Sequence, residues 1–196
     1  MKLMKGLAMS FALLLIAFVT RAQDVDGGDV SILKGEKTIN IEFTFVKLSV
    51  GDFSKEADYI KKRTEELNAK DSGTGDIWAR KWQEDKEMRF APKFILGYTN
   101  LSGMTVDKNA KYTMIVNTKA IEPGYSIGIS KRNAGIDGAI TIVETANRTK
   151  KIASLYFERP PENKWRGAAF DAGSRIADAY YLTGQKTAKF ILKGIK

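Results

Sequence analysis

The sequence predicts one α+β domain built as a two-layer sandwich, with helices on one face of a mainly antiparallel or mixed sheet. Three observations carry this prediction. Apolar and polar residues alternate over 38–50 and 111–121, as they do in half-buried strands. The region between them repeats its apolar residues at helical spacing, and 167–194 is typical of a single long terminal helix. Helices in this order can bury their apolar sides only against the sheet.

The elements are predicted in the order strand, helix, helix, strand, strand, strand, helix, with turn residues between them. The strand over 111–121 is partly apolar on both faces, which indicates an interior position in the sheet. Pro92 interrupts or restarts the second helix. The predicted strands are 30–33, 38–50 and 111–121, with 126–129 as an extension of the last strand or a lip. A hairpin is predicted over 135–144 and 151–158. The predicted helical segments are 54–69, 76 to Pro92, 94–101 and 167–194.

Residues 1–22 are predicted to be a secretory signal peptide. Lys2 and Lys5 precede an apolar run that is too short to span a bilayer, and small residues stand before a cut at Gln23. The Ala-Gln cleavage site is similar to signals common in Bacteroidota. We therefore expect a periplasmic or secreted single domain over 23–196, with no transmembrane segment after cleavage and with 23–29 as a mobile arm.

Composition excludes several kinds of chemistry. The chain has no Cys and no His. Disulfides, Cys/His zinc sites, Ser-His-Asp and Cys-His catalysis and histidine pH switches are therefore impossible. After the leader is removed, 29 basic and 23 acidic residues remain, a net charge of +6. That charge suits binding to an anionic glycan, a lipid headgroup or an acidic protein. It can also serve solubility alone. A nucleic-acid partner is not expected, because nucleic acid is scarce in the expected compartment.

Asp24, Asp26 and Asp29 resemble the front of a calcium loop, because closely spaced carboxylates suit a hard cation. The bidentate Glu that closes an EF-hand loop would fall at Gly35, and Glu36 is one position away. A solvated acidic terminus is the simpler interpretation. We predict no cofactor.

Aromatic and cationic residues supply the binding candidates. Trp78 and Trp82 lie four residues apart on one helix face, which indicates either core packing or a stacking platform. The loop over 122–132 combines an aromatic residue with two cations, or it is an ordinary strand connection. The candidate binding residues are Trp78, Trp82, Tyr125, Lys131, Arg132 and Trp165.

The stretch 112–189 resembles small envelope proteins of unknown function from Gram-negative bacteria. The shared elements are Glu-Pro-Gly-Tyr at 122–125, Gly-Ala-Ile-Thr-Ile-Val at 138–143 and the helix from Phe170 through Gly184 to Lys189. The resemblance implies a fold similar to the periplasmic α/β domains of secretion and assembly lipoproteins. It brings no catalytic residues, and this chain lacks the Cys that anchors a lipoprotein.

Three functions remain open at this point. The first is a non-catalytic envelope protein that binds a protein partner or assembles with itself. The second is a carrier of a small apolar or anionic ligand, in a pocket that aromatic residues line. The third is a glycan hydrolase that uses two carboxylates, although no spacing singles out a pair. Its candidate acids are Glu84, Asp85, Glu122, Glu144 and Asp171, the last of which could instead pair with Arg175 four residues later.

Overall fold

The computed structural model describes residues 25–127, 129–158 and 171–195, which form a seven-stranded mixed sheet covered by helices. The predicted α+β two-layer sandwich is confirmed. The strands are β1 (Val25–Gly28), β2 (Thr38–Thr44), β3 (Ser49–Val50), β4 (Thr105–Val106), β5 (Tyr112–Glu122), β6 (Tyr125–Ile127), β7 (Ser130–Arg132), β8 (Gly135–Glu144) and β9 (Asn147–Phe157). The α-helices are α1 (Glu56–Asn68), α2 (Thr74–Asp85), α3 (Ala91–Ser102) and α4 (Ala172–Gly194).

The main sheet has the order β1-β9-β8-β5-β2-β4, with β3 beside β5. β5 is interior, as predicted: it pairs antiparallel with β8 and parallel with β2 and β3. Parallel neighbours need a long connection, and the three helices α1 to α3 supply it between β3 and β4. The rest of the sheet is antiparallel: β5 pairs with β8, and β8 pairs with β9. We call the long β5–β8 pair the β5–β8 arm.

The core lies between the sheet and the helices. In the register of β5 and β8, Met114 lies opposite Ile142 and Val116 lies opposite Ile140, and all four side chains are fully buried. The helices contribute large side chains to the same cluster, among them Phe90, Phe94, Tyr98, Ile176, Tyr180 and Ile191. Alternation along the strands therefore turns one apolar face toward the helical layer.

α3 and α4 pack with their backbones in close contact at two glycines. A Cβ atom at Gly97 would overlap the Tyr181 carbonyl oxygen, and one at Gly184 would overlap the Phe94 carbonyl oxygen. Gly184 on the terminal helix marks the place where the two helices touch. The small residue is needed because no side chain fits between the two backbones.

Several local predictions are corrected by the structure. Residues 30–33 form a short 3-10 helix instead of a strand, because the Asp29 carboxylate accepts the Ser31 amide hydrogen at 2.8 Å and caps the turn. Val25–Gly28, within the expected mobile arm, form β1 by pairing with β9. The predicted strand over 38–50 is divided at Lys47, whose φ of 56° lies in the left-handed region.

The expected leader lies outside the described residues, as do Trp165 and the first residues of the predicted terminal helix. Within the described part, α4 begins at Ala172 because Asp171 caps it by accepting the Gly173 and Ser174 amide hydrogens. A search of that same part finds no helix with the length and apolar character needed to cross a membrane.

Candidate functional site

The β5–β8 arm ends in a small separate sheet, which we call the tip hairpin (residues 125–132). Its two strands, β6 and β7, pair antiparallel with each other and with no strand of the main sheet. Ile129 at the turn is fully exposed, and the Tyr125 side chain is 42% exposed. The predicted extension over 126–129 is therefore a lip beyond the sheet. An aromatic, an aliphatic and an arginine residue on one small projection are typical of a contact surface.

The base of the tip hairpin is fixed from both sides. Arg175 of α4 donates hydrogen bonds to the carbonyl oxygens of Pro123 at 3.2 Å and Gly124 at 2.8 Å. The buried carboxylate of Glu122 accepts the Gly124 amide hydrogen at 3.0 Å and pairs with Arg132 at 3.1 Å. The Glu-Pro-Gly-Tyr motif thus forms a turn, with Gly124 at a φ of 65°, that is held in place by Arg175, Glu122 and Arg132. Such preorganisation lowers the entropy cost of binding.

Gly124 should tolerate no side chain, and Gly51 provides a matched control. Both have positive φ, 65° and 56°, but a Cβ at Gly124 would lie 2.6 Å from the Ala134 nitrogen, whereas one at Gly51 meets only the Pro123 ring at 3.9 Å. Gly51→Ala is expected to lower the free energy of unfolding by about 1 kcal/mol from backbone strain alone. Gly124→Ala is expected to lose about 1 kcal/mol more, because the arm must shift. Urea unfolding of both variants measures the difference, and equal losses would contradict the close contact.

A cleft of about 400 Å³ lies where the start of α3 meets the start of α4, and we call it the α3–α4 cleft. Its apolar wall contains Met88, which is 75% exposed, together with Pro92, Leu96 and Ala177. Met88 belongs to a π-helical segment, Lys86–Phe90, that joins α2 to α3. One extra residue per turn displaces side chains outward, and such segments are frequent at functional sites. The volume falls within the range of ligand pockets, roughly 300–1,000 Å³.

Arg89 also lines this cleft. Its guanidinium lies between two carboxylates: Nη1 is 3.0 Å from the nearly buried Asp85, and Nη2 is 2.6 Å from Asp171. Nη2 also lies 2.5 Å from the Ser174 hydroxyl oxygen. Burial alone would raise the pKa of Asp171, but the hydrogen bond and charge of Arg89 outweigh it and hold that pKa below its usual value. The cluster ties α4 to the π-helical segment.

Trp78 and Trp82 pack against other aromatic residues, and Trp165 lies outside the described residues. Trp82 is 3% exposed, and its indole nitrogen donates a 2.6 Å hydrogen bond to Glu56. Trp78 lies beside it, with ring centroids 5.7 Å apart, and Tyr59 contacts both rings. The neighbouring rings meet these two indoles edge-on or tilted, which is the geometry of core packing.

Four of the five candidate acids are held in ion pairs. Glu84 is exposed, and Glu144 pairs with Lys150. Asp85 and Asp171 do come together, but the Arg89 guanidinium stands between them. A general acid needs a raised pKa, and that of Asp171 is lowered. Asp171 pairs with Arg89 of a distant segment, while the arginine at i+4, Arg175, reaches the tip hairpin.

The calcium candidate is not assembled within the described residues. Both carboxylate oxygens of Asp29 accept hydrogen bonds from Ser31, whose hydroxyl and amide lower the pKa of Asp29. Asp24 and the side chain of Asp26 lie outside what the structure describes. Across the described ranges, no three acidic groups converge in a way that could hold a metal ion.

Neither the family models nor the curated proteins contain a match to this chain. Two solved structures are similar to it: the PelC dodecamer from Paraburkholderia phytofirmans, at 11% identity and a TM-score of 0.37, and a single-residue variant of that dodecamer, at 11% and 0.35. Each comparison covers 84% of this chain and 96% of the other. Similarity at this level carries no conclusion about the activity or the assembly of this chain.

Proposed function

We propose that this protein is an exported, non-catalytic envelope protein that binds a protein partner or a second copy of itself through the tip hairpin. One observation carries the proposal: a fully exposed Ile129 stands on a hairpin whose base is fixed by Arg175 and by the Glu122–Arg132 pair. Burying a fully exposed aliphatic side chain in an interface lowers the free energy, because apolar area leaves water. A rigid base reduces the conformational entropy that is lost when the hairpin binds. A contact surface needs both features.

A protein surface suits the tip hairpin better than an anionic glycan or lipid headgroup does. The charge of Arg132 is balanced by the buried Glu122 at 3.1 Å, so this arginine offers an anion little net charge. The exposed side chains, Ile129 and Tyr125, offer apolar and aromatic area instead. Central anchors of protein interfaces have this character.

A photo-crosslinking amino acid at position 129 tests the proposal in the cells that make the protein. We expect one discrete heavier species, because a specific partner holds the tip in one place. Ile77 on α2 is the matched control, since it is also an exposed isoleucine, at 58%. Equal crosslinking from both positions, or none from position 129, would overturn the proposal. Mass analysis of the crosslinked species identifies the second chain.

A further inference from the structure

One edge of the main sheet is open along most of β2. β4 covers only the start of this strand, where the Ile39 carbonyl oxygen accepts the Asp107 amide hydrogen at 3.2 Å. Within the described ranges, the outward backbone groups of the next alternate residues, Ile41 and Phe43, have no backbone partner. We propose that this β2 edge (residues 40–45) binds an extended segment of another protein, which adds a strand to the sheet.

The direction of these backbone groups follows from the hydrogen bonds at both ends of β2. Backbone groups of successive strand residues point to opposite sides. Ile39 bonds to β4, and the Val46 amide donates a 3.2 Å hydrogen bond to the Asn117 side-chain oxygen of β5. Odd-numbered residues of β2 therefore face outward. An extended backbone presents donors and acceptors at the matching spacing, and a glycan or a lipid headgroup does not.

The β2 edge lacks the charges that usually protect a free edge. Natural edge strands carry charged side chains, lysine above all, that discourage pairing. The part of β9 that β1 leaves uncovered has this protection in the exposed residues Arg148, Lys150 and Lys151. Between positions 40 and 45 the one charged residue is Glu42, and its carboxylate is bound to Arg148 at 2.6 and 2.9 Å. No unbalanced charge therefore opposes a strand at the β2 edge.

The side chains along the edge define the kind of segment that fits. Phe43 and Phe45 lie on the helical side of β2 and are only partly buried. Phe43 meets the Phe94 ring edge-on at 5.5 Å, and the Lys86 ammonium lies 5.0 Å above the Phe45 ring. A segment with apolar residues at alternate positions would cover the parts of these rings that water still reaches. The open length is about five residues, or roughly 17 Å.

Two copies of this chain cannot pair with each other along the β2 edge. β2 and β3 both pair parallel with β5, and β8 occupies the other side of β5, so β3 continues the line of β2. In an antiparallel pair of β2 strands, β3 of each copy would run into β4 of the other. In a parallel pair, β4 of each copy would overlap β2 of the other. The site therefore suits a short segment of a different protein, at a surface separate from the tip hairpin.

A tethered peptide tests the β2 edge at high local concentration. Val46 is 59% exposed and the chain has no cysteine, so Val46→Cys supplies a single attachment point beside the edge. A short peptide of alternating valine and threonine is attached to the full chain by a flexible linker, which gives an effective concentration of about 1 mM. We expect hydrogen exchange of the Ile41 and Phe43 amides, followed by NMR, to slow about tenfold or more. The Asn40 and Glu42 amides, which face β5, should keep their rates.

Two N-methylated peptides provide the matched control. Methylation of the valine amides blocks one edge of the peptide strand, and methylation of the threonine amides blocks the other edge. One of the two peptides should still protect Ile41 and Phe43 and the other should not, because a single peptide edge meets β2. Equal behaviour of the two, or no protection by the unmethylated peptide, would overturn the proposal. Ile41 and Phe43 amides that already exchange as slowly as those of Asn40 and Glu42 before the peptide is attached would also overturn it.

Discussion

Gly184→Ala is expected to lower the free energy of unfolding by about 2–3 kcal/mol, as overpacking in a filled interior does. In an isolated helix the same change would stabilise by about 1 kcal/mol, because alanine is the better helix former. The sign reverses here because the new methyl group would overlap the Phe94 carbonyl oxygen of α3. Backbone cannot rotate away as a side chain can, so the two helices must separate.

Thermal and urea unfolding measure this loss against a control on the same helix. Lys189 of α4 is exposed, so Lys189→Ala should change stability by no more than about 0.5 kcal/mol. Gly97→Ala should resemble Gly184→Ala, because its methyl group would overlap the Tyr181 carbonyl oxygen across the same contact. The double variant should lose less than the sum of the two, since one separation relieves both overlaps. A Gly184→Ala variant as stable as wild type would contradict the packing of α3 on α4.

Arg89→Met is expected to cost about 3 kcal/mol, at the lower end of what removing one partner of a buried ion pair costs. The Asp85 side chain is only 8% exposed and would keep its charge without the guanidinium that neutralises it. The Arg89 side chain is itself partly exposed, so water can replace some of its contacts. The double variant Asp85→Asn, Arg89→Met should recover much of the loss, because no buried charge remains.

The cost of Arg89→Met should depend on pH. Arg89 lowers the pKa of Asp171 in the folded protein, so this carboxylate adds stability above its unfolded pKa of about 3.9 and loses it as pH falls through the lower folded value. The variant lacks that contribution. The stability difference between wild type and variant should therefore shrink as pH falls from about 5 toward 3. A difference that stays constant would show that Arg89 acts through packing alone.

The sheet and the long helix were predictable because they rest on periodicity. Apolar residues on both faces identified β5 as interior, and the predicted hairpin over 135–144 and 151–158 corresponds to β8 and β9. Predictions failed where the backbone changes at a single residue. Asp29 turns 30–33 into a 3-10 helix by capping it, and Lys47 divides an otherwise regular strand. Neither of these local backbone changes alters the hydrophobic periodicity of the sequence.

The candidate site was only partly predictable. Tyr125 and Arg132 were selected from an exposed-looking loop, and they lie on the tip hairpin. Arg89 and Arg175 were missed as anchors because their partners come from distant segments. The spacing of Asp85 and Arg89 at i, i+4 was the one local signal. The cleft itself depends on how α3 meets α4, which no pattern within either helix specifies.

The sheet pairs its first strand, β1, with its last strand, β9, so this pairing must wait until most of the chain has been synthesised. Val25 of β1 pairs with Leu155 of β9, 130 positions later. At roughly 5–20 residues per second, a ribosome needs roughly 7–26 s to deliver the second strand after the first. During that interval β1 has no partner in the sheet. Its two glycines, Gly27 and Gly28, make it a poor strand former. β1 therefore has little tendency to pair elsewhere before β9 has been synthesised.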